Sequence, residues 1–301
     1  MNQPAAREPL FEPAFVRALE GVALAGRRTP SGRAAGQWRS RTSGSSVEFS
    51  DYRTYAPGDE FRRIDWNAYA RLERLFVRLY RAEEDLSLSV VLDASASMGW
   101  GKPAKARLAA QLAGALAFVA LQSGDRVDLA ACRGAAIAQR LTNLRGESAA
   151  WTAWRLLEGL DSEGDTDLNA SLGAWAGHLR GAGMCVVISD LFSTNGYQQG
   201  IDALLARRQD VLLIHVLAPD ELQPPADLLG EWRLTDAEPA APLEATITPG
   251  VLRAYRRLLQ TFVGEASDFC RRRGVTYVQV SSETSVANLV LRTFRTLGVV
   301  V

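Results

Sequence analysis

The chain has 301 residues, 47% of them hydrophobic, enough for a sizeable core in one large α/β domain or two ordinary ones. Lys plus Arg and Asp plus Glu both number 34, which excludes a global field that would draw DNA, an anionic membrane or a polyanion. Cys132, Cys185 and Cys270 lie far apart, with neither zinc spacing nor a disulfide framework, and read as buried free thiols of a reducing compartment. The opening MNQPAAREPLFEPAF has no cationic start followed by an apolar stretch, and no window approaches the roughly 20 apolar residues of a membrane helix. A cytoplasmic protein without membrane contact is expected.

Residues 11–26 carry apolar side chains at helical spacing, so residues 1–26 form an N-terminal helical segment. A Gly- and Ser-rich stretch follows, with Arg27, Arg28, Arg33, Arg39 and Arg41 and no acid before Glu48. It is either a solvated loop or a surface for phosphate and nucleic acid; the charge balance argues against a nucleic-acid partner. At Pro57-Gly58 the pairing of a fixed φ with a permissive residue predicts a turn. Asp59 would cap the short helical turn after it, where Arg62, Arg63 and Asp65 sit close enough to pair. Together with Trp66 these residues form either a docking surface or an internal scaffold, and residues 27–85 make up this second region. A strand is expected over 75–80.

The third region, 86–301, begins with LSLSVVLDASASMG, an apolar run that halts at Asp93 and then places Ser95 and Ser97 at alternate positions. The pattern is that of a buried strand feeding a helix over 103–121. Residues 126–132 and 136–141 flank Arg133-Gly134-Ala135 as a hairpin, which gives one antiparallel edge strand. Helices are expected at 147–160 and 167–179, a strand over 184–190 ending in Asp190, a helix at 196–208 and a strand at 211–217. The Pro- and acid-rich excursion at 218–249 has one strand-like piece, 231–234. A long packed helix at 251–270, a strand at 275–280 and a helix at 286–297 complete the chain. Strand alternating with helix predicts an α/β fold: a doubly wound, mostly parallel sheet with helices on both faces.

Binding sites in such sheets lie at the carboxyl ends of strands. Asp93, Ser95 and Ser97 offer hard oxygen donors there, which suit Mg²⁺ or Mn²⁺ better than a soft metal. Thr166, at the head of the 167–179 helix, could cap or ligate, and Asp190 ends a second strand on the same edge. In this order Asp93, Ser95, Ser97, Thr166 and Asp190 resemble the metal-ion-dependent adhesion site of von Willebrand factor A-type domains. The block Tyr55-Ala-Pro57-Gly58-Asp59-Glu60-Phe-Arg62-Arg63-Ile64-Asp65-Trp66, followed by LDASASMG, GDTDL and VVISDLF, resembles the bacterial domain-of-unknown-function family 58.

The resemblance implies a protein-binding domain in which three hydroxyls contact the ion while Asp93 and Asp190 hold it, partly through water. A partner's Asp or Glu would fill the open position. It further implies an accessory or chaperone-like adaptor of a MoxR-type AAA+ ATPase, and no enzymatic activity. Two other classes stay open: a Mg²⁺-dependent phosphohydrolase using Asp93, and a nucleic-acid scaffold using 27–41. Gly99-Trp-Gly101-Lys102-Pro103 has the wrong spacing for a phosphate loop, no Gly-x-Ser-x-Gly elbow exists, and His178 and His215 read as packing residues.

Overall fold

The computed structural model describes residues 9–25, 47–57, 59, 61, 64–82, 87–234 and 243–301. The basic stretch at 27–41, Gly58, Arg62 and Arg63 therefore lie outside the described residues. The chain divides into two compact units, Arg27–Asp85 and a larger one combining Met1–Gly26 with Leu86–Val301.

Helix α1 (Pro13–Leu19) starts on a proline, whose missing N–H removes no helical bond at that position. It ends earlier than the sequence pattern suggests, because Gly21 turns the chain at φ +85° into a bridge between Leu24 and Val300. Leu10, Phe11 and Leu19 are buried, Phe11 edge-on to Trp154, so this segment belongs to the core of the larger unit.

The smaller unit is an antiparallel pair, β1 (Val47–Thr54) and β2 (Phe76–Ala82), with a register shift between Phe49 and Asp51. Helix α2 (Trp66–Leu72) lies between them in sequence. Asp65 caps it, accepting from the Asn67 and Ala68 N–H groups at 2.9 and 3.0 Å, and its other oxygen accepts from the Tyr52 hydroxyl at 2.9 Å.

The larger unit is built on β3 (Ser87–Asp93), α3 (Lys105–Gln122), β4 (Arg126–Arg133), β5 (Ala136–Leu144), α4 (Ala149–Gly159), α5 (Leu168–Ala176), β6 (Gly183–Ser189), α6 (Gln198–Ala206), β7 (Gln209–Leu217), α7 (Pro219–Leu222), β8 (Gly230–Leu234), β9 (Leu243–Ile247), α8 (Pro249–Arg273) and β10 (Thr276–Ser281). Six strands form one sheet in the order β10-β7-β6-β3-β4-β5, parallel except for β5, the edge strand expected from the 126–141 hairpin. The architecture is a doubly wound, Rossmann-like α/β sheet.

Alternation along each strand sends side chains to two cores. Leu88, Val90, Leu92, Val186, Ile188, Leu212 and Ile214 pack under α3 and α4, while Val91, Val187, Val211 and Leu213 pack under α5, α6 and α8. The three cysteines are buried and unpaired. At Gly200 the two helices α5 and α6 approach closely, since a Cβ there would lie 2.7 Å from that of Leu172. That contact ties the head of α5 to the chain leaving β6.

Three expectations need correction. The excursion holds a second strand, β9, paired antiparallel with β8; its five residues sit between prolines and have too short a pattern to stand out. Helix α5 ends at Ala176, short of residue 179, so His178 lies in an exposed turn, where it packs by stacking on the Trp175 ring. Helix α8 is fully buried only in its C-terminal half, at Ala266, Phe269 and Cys270; in its first half Leu258 is 70% exposed, while the Tyr255 hydroxyl donates to Glu221 O at 2.9 Å. Its 25 residues extend about 37 Å, whereas the six residues of the neighbouring β10 cover about 20 Å. Among the described residues no helix is long and apolar enough to cross a membrane.

Candidate functional site

Strand order reverses between β3 and β6: the chain leaves β3 for β4 on one side and reaches β6 and then β7 on the other. At such a switch point the loops beyond the strand ends diverge and open a crevice. Asp93 ends β3, and Asp190 follows Ser189 at the end of β6, with Leu92 and Ile188 in register just before them. The sheet thus brings two carboxylates from opposite ends of the sequence pattern to one edge.

Asp93 is buried, and each of its oxygens is held. Oδ1 accepts from the Ser95 N–H at 3.0 Å and Oδ2 from the Ser189 hydroxyl at 2.7 Å. Burial, and then the neighbouring Asp190 charge, push its pKa up to about 6, against the pull of those hydrogen bonds. The Ser95 and Ser97 hydroxyls face each other at 3.1 Å across a 3₁₀ turn at Ala96–Gly99.

Thr166 is brought in by backbone stitching. The Ala96 N–H donates to Gly164 O, Glu163 N–H to Ala94 O, Gly134 N–H to Asp165 O and Asp167 N–H to Gly134 O. Thr166 does not cap α5. Asp167 does, accepting from the Ala170 N–H at 2.9 Å, while the Thr166 Oγ1 is buried without a hydrogen-bond partner. The Ser193 hydroxyl donates to Thr166 O at 3.1 Å, joining this loop to the one after Asp190.

Asp190 is fully buried and its oxygens are both occupied: Oδ1 accepts from the Phe192 N–H at 3.1 Å and Oδ2 from the Lys105 ammonium at 2.7 Å. Leu191 beside it adopts φ +61°, a left-handed conformation that costs a non-glycine residue on the order of 1 kcal/mol. His215 on β7 fixes the Asp190 carbonyl. Burial lowers the imidazole pKa to about 4, so the ring is neutral, its Nε2–H donating to Asp190 O at 2.9 Å and its Nδ1 accepting from the Tyr277 hydroxyl at 2.7 Å.

Asp93, Ser95, Ser97, Thr166 and Asp190 therefore share one edge of the sheet. Of the residues grouped around the Pro57-Gly58 turn, Asp59 is described, whereas Glu60, Arg62 and Arg63 of the helical turn it was expected to cap lie outside the described residues. Asp59 closes its own turn by accepting from the Ala56 N–H at 2.8 Å and the Arg53 guanidinium at 2.7 Å, both of which hold its pKa below the usual value. Asp65 is engaged as the α2 cap, and Trp66 is 60% exposed. Lys105, Ser189, Ser193, His215 and Glu221 are site or supporting residues that sequence motifs did not single out. Lys105 carried a readable signal: with Leu108, Ala109 and Leu112 it lies on the apolar stripe of α3, where a lysine needs an anionic partner.

Residues 51–261 match the family described as protein of unknown function DUF58, well over half of the chain. The chain belongs to the DUF58 family. It is similar to the uncharacterized protein Rv1480 of Mycobacterium tuberculosis and to the uncharacterized protein Mb1516 of Mycobacterium bovis. Each is 29% identical over 256 residues, covering 83% of this chain and 80% of the relative. Among solved structures, this DUF58 chain is similar to the conserved hypothetical protein BatB of Bacteroides thetaiotaomicron, with a TM-score of 0.44 and 16% identity over 70% of this chain and 98% of that one.

Proposed function

We propose that this DUF58 protein is a divalent-cation-dependent protein-binding domain of the von Willebrand A type rather than an enzyme. Its donors for Mg²⁺ or Mn²⁺ are the Ser95, Ser97 and Thr166 hydroxyls and the Asp93 and Asp190 carboxylates. The observation that carries this reading is the Thr166 Oγ1, buried and unpartnered at the sheet edge that also carries Asp93, Ser95, Ser97 and Asp190. An orphaned buried hydroxyl costs about 1–3 kcal/mol, a cost that a ligand removes and that a mere cap would not incur.

The donor set supports the same reading. Two oxygens in adjacent positions of a Mg²⁺ octahedron lie about 3 Å apart, and the Ser95 and Ser97 hydroxyls are 3.1 Å apart. Three hydroxyls with two carboxylates make an all-oxygen donor set, which suits a hard cation. When bound, the ion would offer an open position to a partner's Asp or Glu. Ser189 and the Ser95 N–H keep Asp93 oriented, and His215 keeps the Asp190 backbone in place. Asp93, buried and held at both oxygens, is poorly presented as the nucleophile of a phosphohydrolase. The resemblance to von Willebrand A-type and DUF58 sequences extends the proposal to an adaptor role beside a MoxR-type AAA+ ATPase.

Thermal unfolding tests the site. At ten times its dissociation constant, Mg²⁺ should raise the melting temperature by about 2–5 °C. Thr166→Val should abolish most of that rise while leaving the melting temperature in chelator unchanged or higher, because no hydrogen bond is lost. A wild-type melting curve indifferent to millimolar Mg²⁺ and Mn²⁺ overturns the reading. The adaptor role is tested by whether the ATPase co-purifies in Mg²⁺ and is released by chelator.

A further inference from the structure

Lys105 is the first residue of α3, yet its side chain is 0% exposed. Neither the helix nor the core accounts for this. A cation at a helix N-terminus opposes the macrodipole, and a buried ammonium is unfavourable unless its partners are well placed. The partners are Asp190 Oδ2 at 2.7 Å and Glu221 Oε1 at 2.5 Å, with the Phe192 ring centroid 5.1 Å away. Glu221 is itself fixed, its other oxygen accepting from the Ala218 N–H at 2.7 Å. The ammonium is thus locked between one carboxylate of the candidate ion site and one outside it.

We infer that Lys105 is a positioning residue, an internal counter-cation that holds Asp190 in place in the absence of an ion and sets how tightly a divalent ion binds beside it. The inference rests on the cation-dependent reading of the site. With Asp93 ionised, three carboxylates and one ammonium leave the cluster a net charge of minus two, which a divalent ion neutralises. The ammonium repels that ion and keeps Asp190 Oδ2 from direct ligation, so binding is weakened and the bound ion retains more of its charge for an incoming carboxylate. Glu221 shares the ammonium and thereby limits how strongly Lys105 competes at Asp190.

Equilibrium Mn²⁺ binding to the full chain, followed by titration calorimetry, tests this with two variants of opposite expected sign. Lys105→Met should tighten the Mn²⁺ dissociation constant by tenfold or more while lowering the melting temperature in chelator. Glu221→Gln should weaken Mn²⁺ binding several-fold, because Lys105 then rests on Asp190 alone. A general loosening of the fold would weaken both. If the wild type binds Mn²⁺ and Lys105→Met binds it no more tightly, the inference is overturned and the cation site stands. If the wild type binds no Mn²⁺, the cation reading falls and the inference with it. Should Lys105→Met fail to fold, Glu221→Gln decides: weaker binding supports the inference, and unchanged or tighter binding overturns it.

Discussion

Asp190→Ala is expected to destabilise the ion-free protein by about 3 kcal/mol, the lower end of the range for breaking a buried ion pair. The Lys105 ammonium and the Asp190 carboxylate are both 0% exposed and 2.7 Å apart, so removing the anion leaves a desolvated cation with Glu221 as its remaining partner. The Phe192 N–H loses its acceptor as well. Two effects hold the loss below the upper end: Glu221 stays at 2.5 Å, and Asp93 is relieved of the charge that raises its pKa. In a chain of this size the change corresponds to a fall on the order of 10 °C in melting temperature. Urea denaturation in chelator measures it, and a loss below 1 kcal/mol would mean that the pair is not desolvated. Asp190→Asn, which keeps an acceptor for the Phe192 N–H, should lose less.

That pair also marks where the sequence stops being informative. Asp93, Ser95 and Ser97 were legible because a continuous apolar run ends at the first of them, and a strand end in a parallel sheet is a binding edge by construction. Asp190 was legible for the same reason. The lysine that occupies Asp190 comes from a residue 85 positions away, and Glu221 lies 116 positions from that lysine. No local period encodes such a contact. Only the placement of Lys105 on the apolar stripe of α3 hinted at it. Thr166 and Asp167 are adjacent and both suited to capping; which of them caps depends on backbone geometry set by Gly134 and Ala96, remote in sequence from the helix they begin. The strands and helices of the sheet were readable from apolar pattern alone, whereas the exposure of Val251 and Leu258 in α8 was not, since both lie on the same apolar stripe as the buried Phe269 and Cys270.

Asp93→Asn is expected to make the ion-free protein more stable at neutral pH while removing its response to Mg²⁺. In the native state burial and Asp190 raise the Asp93 pKa from 3.8 to about 6. A carboxyl that binds its proton more tightly when folded contributes stability at pH 4 and below, and that contribution is lost as pH rises through 6. At about 1.4 kcal/mol per pKa unit, the ionised carboxylate costs the ion-free fold about 3 kcal/mol at pH 7–8. Asparagine is neutral throughout. It still accepts from the Ser95 N–H, and its amide can donate to the Ser189 hydroxyl, whose oxygen already accepts from the Leu191 N–H at 2.8 Å. The variant should therefore exceed the wild type by about 1–3 kcal/mol at pH 8, with the advantage vanishing near pH 4. Urea denaturation in chelator across that range measures the difference. A variant less stable than the wild type at pH 8 would show that the hydrogen bonds outweigh desolvation. The expected sign bears on why an aspartate stands there: a carboxylate that weakens the fold which buries it is retained for what it holds, and in the same variant Mg²⁺ should add nothing to the melting temperature.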